Sequence, residues 1–246
     1  MTLADHLKEL KFRLIISLMV TVIAIGISYC FADEIFKFLF APLTDIFVAE
    51  KLNRKLIYTN LTEAFFTKVR IAVTCGILLT LPIIMWHCYR FVAPGLFKRE
   101  RFAFVPYLVF SPILFFMGAY LAYGHVMPMA WRFFMSFEQD FSSVIPLVFE
   151  AKISEYISLV TTMVIAFGLV FQLPLILVLL VQVGLLSVAQ LVAFRRHAIV
   201  VTFIIGAIVT PPDTISQITL AVPLILLYEI SILICKRIKI KTRIKS

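Results

Sequence analysis

A single carboxylate stands among four cations in a short polar stretch between two long apolar runs. Glu100 is surrounded in the sequence by Arg90, Lys98, Arg99 and Arg101. A carboxylate beside several cations stays ionised, and it can exchange one arginine partner for another through bidentate geometry. Taken alone, the stretch favours a salt-bridged anchor for a membrane loop over a binding site for an incoming arginine. To decide between the two interpretations, we consider the secondary-structure elements that position Glu100.

Two features define the surroundings of this carboxylate. The Pro94-Gly95 step follows Phe91 and breaks any helix that continues from it, because proline lacks the amide donor and glycine tolerates turn dihedrals. The N-terminal segment predicts an amphipathic helix with Thr2 as its N-cap. The apolar stripe of this helix consists of Leu3, Leu7, Leu10 and Leu14. The neighbouring polar stripe consists of His6, Glu9 and Arg13.

The composition excludes a soluble protein. Of the 246 residues, 62% are hydrophobic and only 15% are charged, which is too little polarity to cover a soluble surface. We therefore interpret the net charge of +9 as a signal of membrane topology. No part of the sequence resembles a basic groove for nucleic acid. The four cysteines form no CxxC pair and the four histidines are scattered, so we expect no metal site and no cofactor.

The predicted fold class is an all-α polytopic membrane protein, with residues 1–246 forming a single transmembrane domain. Six apolar runs predict membrane spans, at about 14–31, 63–91, 102–127, 153–183, 197–210 and 214–235. Between the first two spans, we expect a short amphipathic piece at 35–40 that Pro42 ends. Prolines in or near other spans favour kinks and a concave bundle.

The distribution of charge predicts the orientation of the chain. The N-terminal tail, the 90–101 and 184–196 loops, the end of the last span and the C-terminal tail hold 15 of the 23 lysines and arginines but only 4 of the 14 acids. Cytoplasmic segments carry such an excess of cations. Both termini are therefore predicted to face the cytoplasm, and the 90–101 loop lies on the same side.

The last two spans are short. From Arg196 to Pro211 there are 14 intervening residues, which cover only about 21 Å as a helix, against a hydrocarbon core of about 30 Å. The turn Thr210-Pro211-Pro212-Asp213 joins the two spans, and its first interpretation is structural, with Asp213 capping the following helix. Short helices thin the bilayer or are shielded by partners.

Few polar groups lie within the spans. Gln172 is the main one, and it marks a contact either with another span or with an external partner. The chain shows no nucleotide-binding loop, no nucleophile elbow and no His-Glu-x-x-His motif, so we expect neither an ATP-driven pump nor an enzyme. A secondary permease for a small solute is the alternative function, although no internal repeat supports it.

Taken together, these motifs resemble the TatC family, the six-span subunit of the twin-arginine protein translocase. The similarity covers nearly the whole chain, in family order. The matching motifs are His6 to Leu14, Phe65-Phe66-Thr67, Phe91 to Arg101 with its Ala-Pro-Gly loop and Glu100, Tyr123 to Pro128, Phe167 to Pro174, Thr210-Pro211-Pro212-Asp213 with Gln217, and Pro223 to Glu229.

This resemblance implies a non-enzymatic receptor that recognises twin-arginine signal peptides at its cytoplasmic face. The resemblance further implies that this receptor serves the export of folded proteins, with energy from the proton-motive force. In the implied site, Glu100 pairs with an arginine of the signal peptide and Glu9 adds negative potential. Phe91 and Pro94 shape the loop. Arg13 is the fifth residue of this signal-peptide-binding site.

The resemblance also implies partners and a location. Gln172 would face a membrane groove, and Thr210, Pro211 and Asp213 would lie at an edge where small single-span subunits of the TatA/TatB type dock, giving a hetero-oligomer in the lipid bilayer. We expect a bacterial inner membrane, with the mitochondrial inner membrane as the alternative.

Overall fold

The computed structural model describes residues 3–49, 56–92, 98–136, 152–210 and 214–243. Most of these residues form α-helices, with one π-helical segment at Ala122–Val126. The helices are α1 (Leu3–Cys30), α2 (Ala32–Ala49), α3 (Glu63–Val92), α4 (Lys98–Leu121), α5 (Met127–Ser136), α6 (Ile153–Val170), α7 (Leu173–Gln182), α8 (Val188–Ala193), α9 (Arg195–Val209) and α10 (Thr214–Arg243). Within the described ranges there is no β-strand, only one isolated parallel bridge between Ile57 and Lys152.

Five helical segments of the described chain are long and apolar enough to cross a membrane. They are Lys8–Cys30, Glu63–His87, Pro106–Ser136, Ile153–Gln182 and Thr214–Arg237. Helix α9, which corresponds to the fifth predicted span, has 15 residues and is about 22 Å long. The predicted all-α membrane fold class is confirmed. The orientation of the termini, the kinks and the concave shape stay predictions.

The described chain divides into two compact units. The first consists of residues 1–113 and 150–161, and the second of residues 114–149 and 162–246. Both α4 and α6 therefore contribute a segment to each unit. The grouping of residues 1–246 as one transmembrane domain stays a prediction.

Helices α1 and α3 pack closely in the first unit. At their contact, the hydroxyl oxygens of Thr21 and Thr80 lie 3.2 Å apart, and the Thr80 hydroxyl also donates to the carbonyl oxygen of Gly76 at 2.9 Å. A β-carbon on Gly76 would lie 2.6 Å from Cγ1 of Ile25 and 2.7 Å from the backbone nitrogen of Ile25. Small residues thus allow the two backbones to approach, as is usual between helices in membranes.

We expect Gly76→Ala to lower the free energy of unfolding by about 1–3 kcal/mol, because the new methyl group would overlap the Ile25 backbone. Gly26→Ala is the matched control, since no atom lies within 4 Å of its β-carbon position. Alanine favours a helix over glycine by about 1 kcal/mol, so the control should be neutral or stabilising. Thermal unfolding of both variants in the same detergent measures the difference, and equal stabilities would contradict this account of the packing.

The prediction that Pro42 ends a short helix at 35–40 is wrong. Helix α2 has 18 residues and continues through Pro42. Phe40, Leu43 and Ile46 are all buried, so helical spacing places apolar side chains in the core on both sides of the proline. This burial outweighs the one backbone hydrogen bond that proline removes.

The predicted fourth span is interrupted. Helix α6 ends at Val170 and α7 begins at Leu173, with Pro174 in its first turn. Pro174 has no amide hydrogen to donate to the Val170 carbonyl, so the break falls where proline removes that bond. The third apolar run instead continues beyond its predicted end, through the π-helical segment and α5 to Ser136, and α10 extends to Arg243.

Candidate functional site

The predicted polar stripe of the N-terminal helix contains an ion pair. Nε of Arg13 donates to Oε1 of Glu9 at 3.0 Å, and Nη2 of Arg13 donates to the same oxygen. Both side chains are mostly shielded, with exposed fractions of 16% for Arg13 and 21% for Glu9. The second oxygen of Glu9, Oε2, is enclosed and has no hydrogen-bond partner among the described residues. The Glu9 carboxylate is therefore held through one oxygen and retains capacity to accept at the other.

The other predicted recognition residues lie at or beyond the edge of what is described. Phe91 is the penultimate residue of α3, and Glu100 is the third residue of α4. A glutamate in the first turn of a helix interacts favourably with the helix dipole. The side chains of Phe91 and Glu100, and all of Pro94, lie outside the described part of the structure. Their predicted roles stay predictions.

Gln172 lies in the interruption between α6 and α7, in the second unit. Its side chain is buried, and its Nε2 donates to the carbonyl oxygen of Gly168 at 3.5 Å. The neighbouring packing is tight, because a β-carbon on Gly118 would lie 2.6 Å from the carbonyl oxygen of Phe167. Gln172 thus has an internal contact, and its predicted contact with a partner stays a prediction.

The last two helices of the described chain, the 15-residue α9 and the 30-residue α10, are linked by a side-chain hydrogen bond. Thr210 is buried, and its hydroxyl donates to the carbonyl oxygen of Gly206 at 2.8 Å. Nε2 of Gln217, from α10, donates to the carbonyl oxygen of Phe203 in α9 at 2.9 Å. Pro211 and Asp213 lie outside the described residues, so the predicted cap and docking edge stay predictions there.

Glu63 has a structural role that sequence reasoning missed. This buried carboxylate, at the start of α3, accepts from the backbone amide of Thr59 at 2.9 Å and from that of Ser154 at 3.1 Å. Nearby, the amide of Ile153 donates to the Ile57 carbonyl at 3.0 Å. Glu63 therefore fastens the segment before α3 to the start of α6. The Thr59-to-Glu63 spacing was the only signal in the sequence, because the Ser154 partner is far away in the chain.

An apolar cavity of about 640 Å³ in the second unit was also not predicted. Helices α7, α8, α9 and α10 line it. Beside it, Nη2 of Arg195 pairs with Oε2 of Glu229 at 2.7 Å, and the Tyr228 hydroxyl donates to the Leu191 carbonyl at 2.9 Å. These bonds join the start of α9 and the end of α8 to α10.

The described side chains offer no metal centre. No group of three or more histidine, cysteine, aspartate or glutamate side chains comes together within the described ranges. Cys30, Cys75 and Cys235 are free thiols.

The five long apolar segments and the polar contacts at their ends define a polytopic α-helical membrane protein. A family model described as "Sec-independent protein translocase protein (TatC)" matches residues 5–223. The chain belongs to the TatC family.

Relatives of similar length support the assignment. The "Sec-independent protein translocase protein TatC" of Rickettsia prowazekii (strain Madrid E) is 43% identical over 235 residues, which cover 96% of this chain and 92% of the relative. The protein of the same name from Aquifex aeolicus (strain VF5) is 37% identical, covering 96% of this chain and 95% of the relative.

A solved structure described as "Crystal Structure of Twin Arginine Translocase Receptor- TatC" superimposes with a TM-score of 0.73 at 37% identity, covering 94% of this chain and 98% of that one. The chain is thus a component of a protein translocase, a transport protein rather than an enzyme. The secondary-permease alternative finds no support in these relatives.

Proposed function

We propose that this chain is the subunit that recognises twin-arginine signal peptides at its cytoplasmic face and nucleates the complex that exports folded proteins. The support comes from the similarity over nearly the full length to a receptor of that description and from the paired carboxylate near the N-terminus. In the proposal, Glu9 and Glu100 attract the two signal arginines, while Phe91 and Pro94 shape the loop beside them.

The observation that carries the proposal is the Glu9 carboxylate. One of its oxygens already binds a guanidinium group, and the other is shielded from water without a donor among the described residues. A shielded carboxylate oxygen without a donor is costly, so in the proposal a signal arginine that displaces the groups covering this oxygen gains a favourable hydrogen bond. Arg13 holds Glu9 in place and limits non-specific capture of single cations. A pair of arginines gains more than one because two carboxylates are available.

The proposed assembly places the chain in a bacterial inner membrane together with small single-span subunits of the TatA/TatB type. The relatives described above are bacterial, and five segments of this chain are suited to a bilayer. Gln172, Thr210, Pro211 and Asp213 are the proposed contacts of those subunits. Translocation in this proposal uses the proton-motive force.

The experiment is photo-crosslinking of a twin-arginine signal peptide to the complex in membranes. With Glu9→Gln, which keeps the shape of the side chain but removes its charge, we expect crosslinking to fall roughly tenfold, the effect of losing one charge-assisted hydrogen bond. Glu155→Gln is the matched control, because Glu155 is an exposed glutamate in the first turn of α6, a segment predicted to begin on the opposite side of the membrane.

The two variants separate a local effect from a general effect of charge. Loss of crosslinking with Glu9→Gln alone supports the site. Equal crosslinking by both variants and the unmodified protein would remove Glu9 from it. An equal loss in both would assign the effect to the overall charge of the protein.

A further inference from the structure

Helix α10 carries an exposed apolar stripe that is nearly as long as the hydrocarbon core of a bilayer is thick. Its members recur every three or four residues and are each between 46% and 64% exposed: Ile215, Ile218, Val222, Leu226, Ile230 and Leu233. Leu220, Leu224 and Cys235, on the opposite face, are buried. From the first to the last member the helix rises about 27 Å, against a core of about 30 Å. The stripe therefore suits contact with lipid tails.

An arginine occupies the next position of the same stripe. Arg237 follows Leu233 by four residues, so it lies on the same face and about 6 Å further along the helix axis, at the depth of the lipid headgroups. Its side chain is exposed. Helix α10 continues as far as Arg243, and helical spacing therefore places position 241, a lysine, on this face as well. A lipid whose tails contact Leu233 has its headgroup at the level of Arg237.

The positive charge at this end of α10 has no acid beside it in the sequence. Residues 236–245 contain six lysines and arginines and no aspartate or glutamate. The only acid of α10 is Glu229, and it already pairs with Arg195 of α9 at 2.7 Å. Arg237 and Lys241 are also like charges at a spacing of four residues, which destabilises a helix. An anion that binds both of them removes this repulsion.

We propose that this face of α10 binds an anionic phospholipid, with its phosphate beside Arg237 and Lys241. The acyl chains lie along the last part of the stripe, from Leu226 to Leu233. Charge complementarity identifies the occupant, because an anionic phospholipid brings apolar chains and an anion to the depths where α10 has the stripe and the cations. The Arg237 guanidinium group can bind a phosphate through two hydrogen bonds. This binding is independent of signal-peptide recognition.

The test places a photo-crosslinking amino acid at position 233 of the full-length protein, in vesicles of equal amounts of phosphatidylglycerol and phosphatidylcholine with the same acyl chains. Mass spectrometry of the adducts identifies the lipid. We expect roughly tenfold more phosphatidylglycerol than phosphatidylcholine, and nearly equal amounts with Arg237→Gln/Lys241→Gln. Lys236→Gln/Lys239→Gln is the matched control, because it removes the same charge from the same segment at positions that helical spacing places off this face.

A second crosslinker position tests whether the preference is local. At Ile215, the opposite end of the stripe, we expect no preference for phosphatidylglycerol. Three outcomes would overturn the proposal: equal labelling of the two lipids at position 233, the same preference at positions 215 and 233, and a loss with Lys236→Gln/Lys239→Gln as large as with Arg237→Gln/Lys241→Gln. A crosslinker at position 233 that reacts in native membranes with a protein and not with lipid would also exclude a lipid occupant.

Discussion

Glu100→Ala is expected to reduce binding of a twin-arginine signal peptide by roughly ten- to a hundredfold. The expectation depends on the chemistry of the 90–101 loop, where Glu100 is the only acid among four cations. Without it, a signal arginine meets only positive charge, so a favourable pair is replaced by repulsion. Pull-down of the peptide by the variant and the unmodified protein, each with its partner subunits, measures the change.

Glu155→Ala serves as the control for Glu100, since both glutamates lie in the first turn of a helix. Glu100→Asp adds a second comparison, because it keeps the charge and shortens the side chain. Binding restored by aspartate would identify the charge as the important property. Undiminished binding by Glu100→Ala would instead make this carboxylate an anchor of the loop, which is the interpretation the loop alone favours.

Replacing Glu63 with alanine is expected to loosen the connection between the segment before α3 and the start of α6. The carboxylate is buried and accepts from two backbone amides, those of Thr59 and Ser154. Truncation leaves both amides without this acceptor in a shielded place, which is costly for each. We expect hydrogen exchange at the Thr59 and Ser154 amides to become roughly tenfold faster or more.

Glu63→Gln provides the graded comparison, because its single carbonyl oxygen can still accept from one amide. We expect exchange at one of the two amides to remain slow in this variant. Asp45→Ala removes an exposed acid in α2 and is the control for charge. Exchange that stays slow at both amides in Glu63→Ala would mean that the backbone contact between Ile57 and Ile153 holds the connection unaided.

Local patterns predicted the helices and the first part of the site. The apolar runs gave the long helices because every backbone group of a chain in lipid must be bonded within its own segment. The spacing of Glu9 and Arg13, four residues apart, predicted their common stripe, and the structure pairs them. Prolines were less informative, since Pro42 lies within a helix and Pro174 follows a break.

Long-range contacts could not be predicted in the same way. Glu63 and Ser154 are 91 residues apart in the chain, and neither has a local pattern that indicates the other. The cavity requires four helices to come together, and the ion pair of Arg195 with Glu229 joins residues 34 apart. Such features depend on tertiary packing.

The most direct measurement is the affinity of the assembled complex for a twin-arginine signal peptide and for the same peptide with two lysines. The account predicts binding of the arginine peptide at least roughly tenfold tighter, because guanidinium groups bind carboxylates bidentately and ammonium groups do not. Equal affinity for the two peptides, or no binding of either, would contradict the claim that this chain is a twin-arginine receptor.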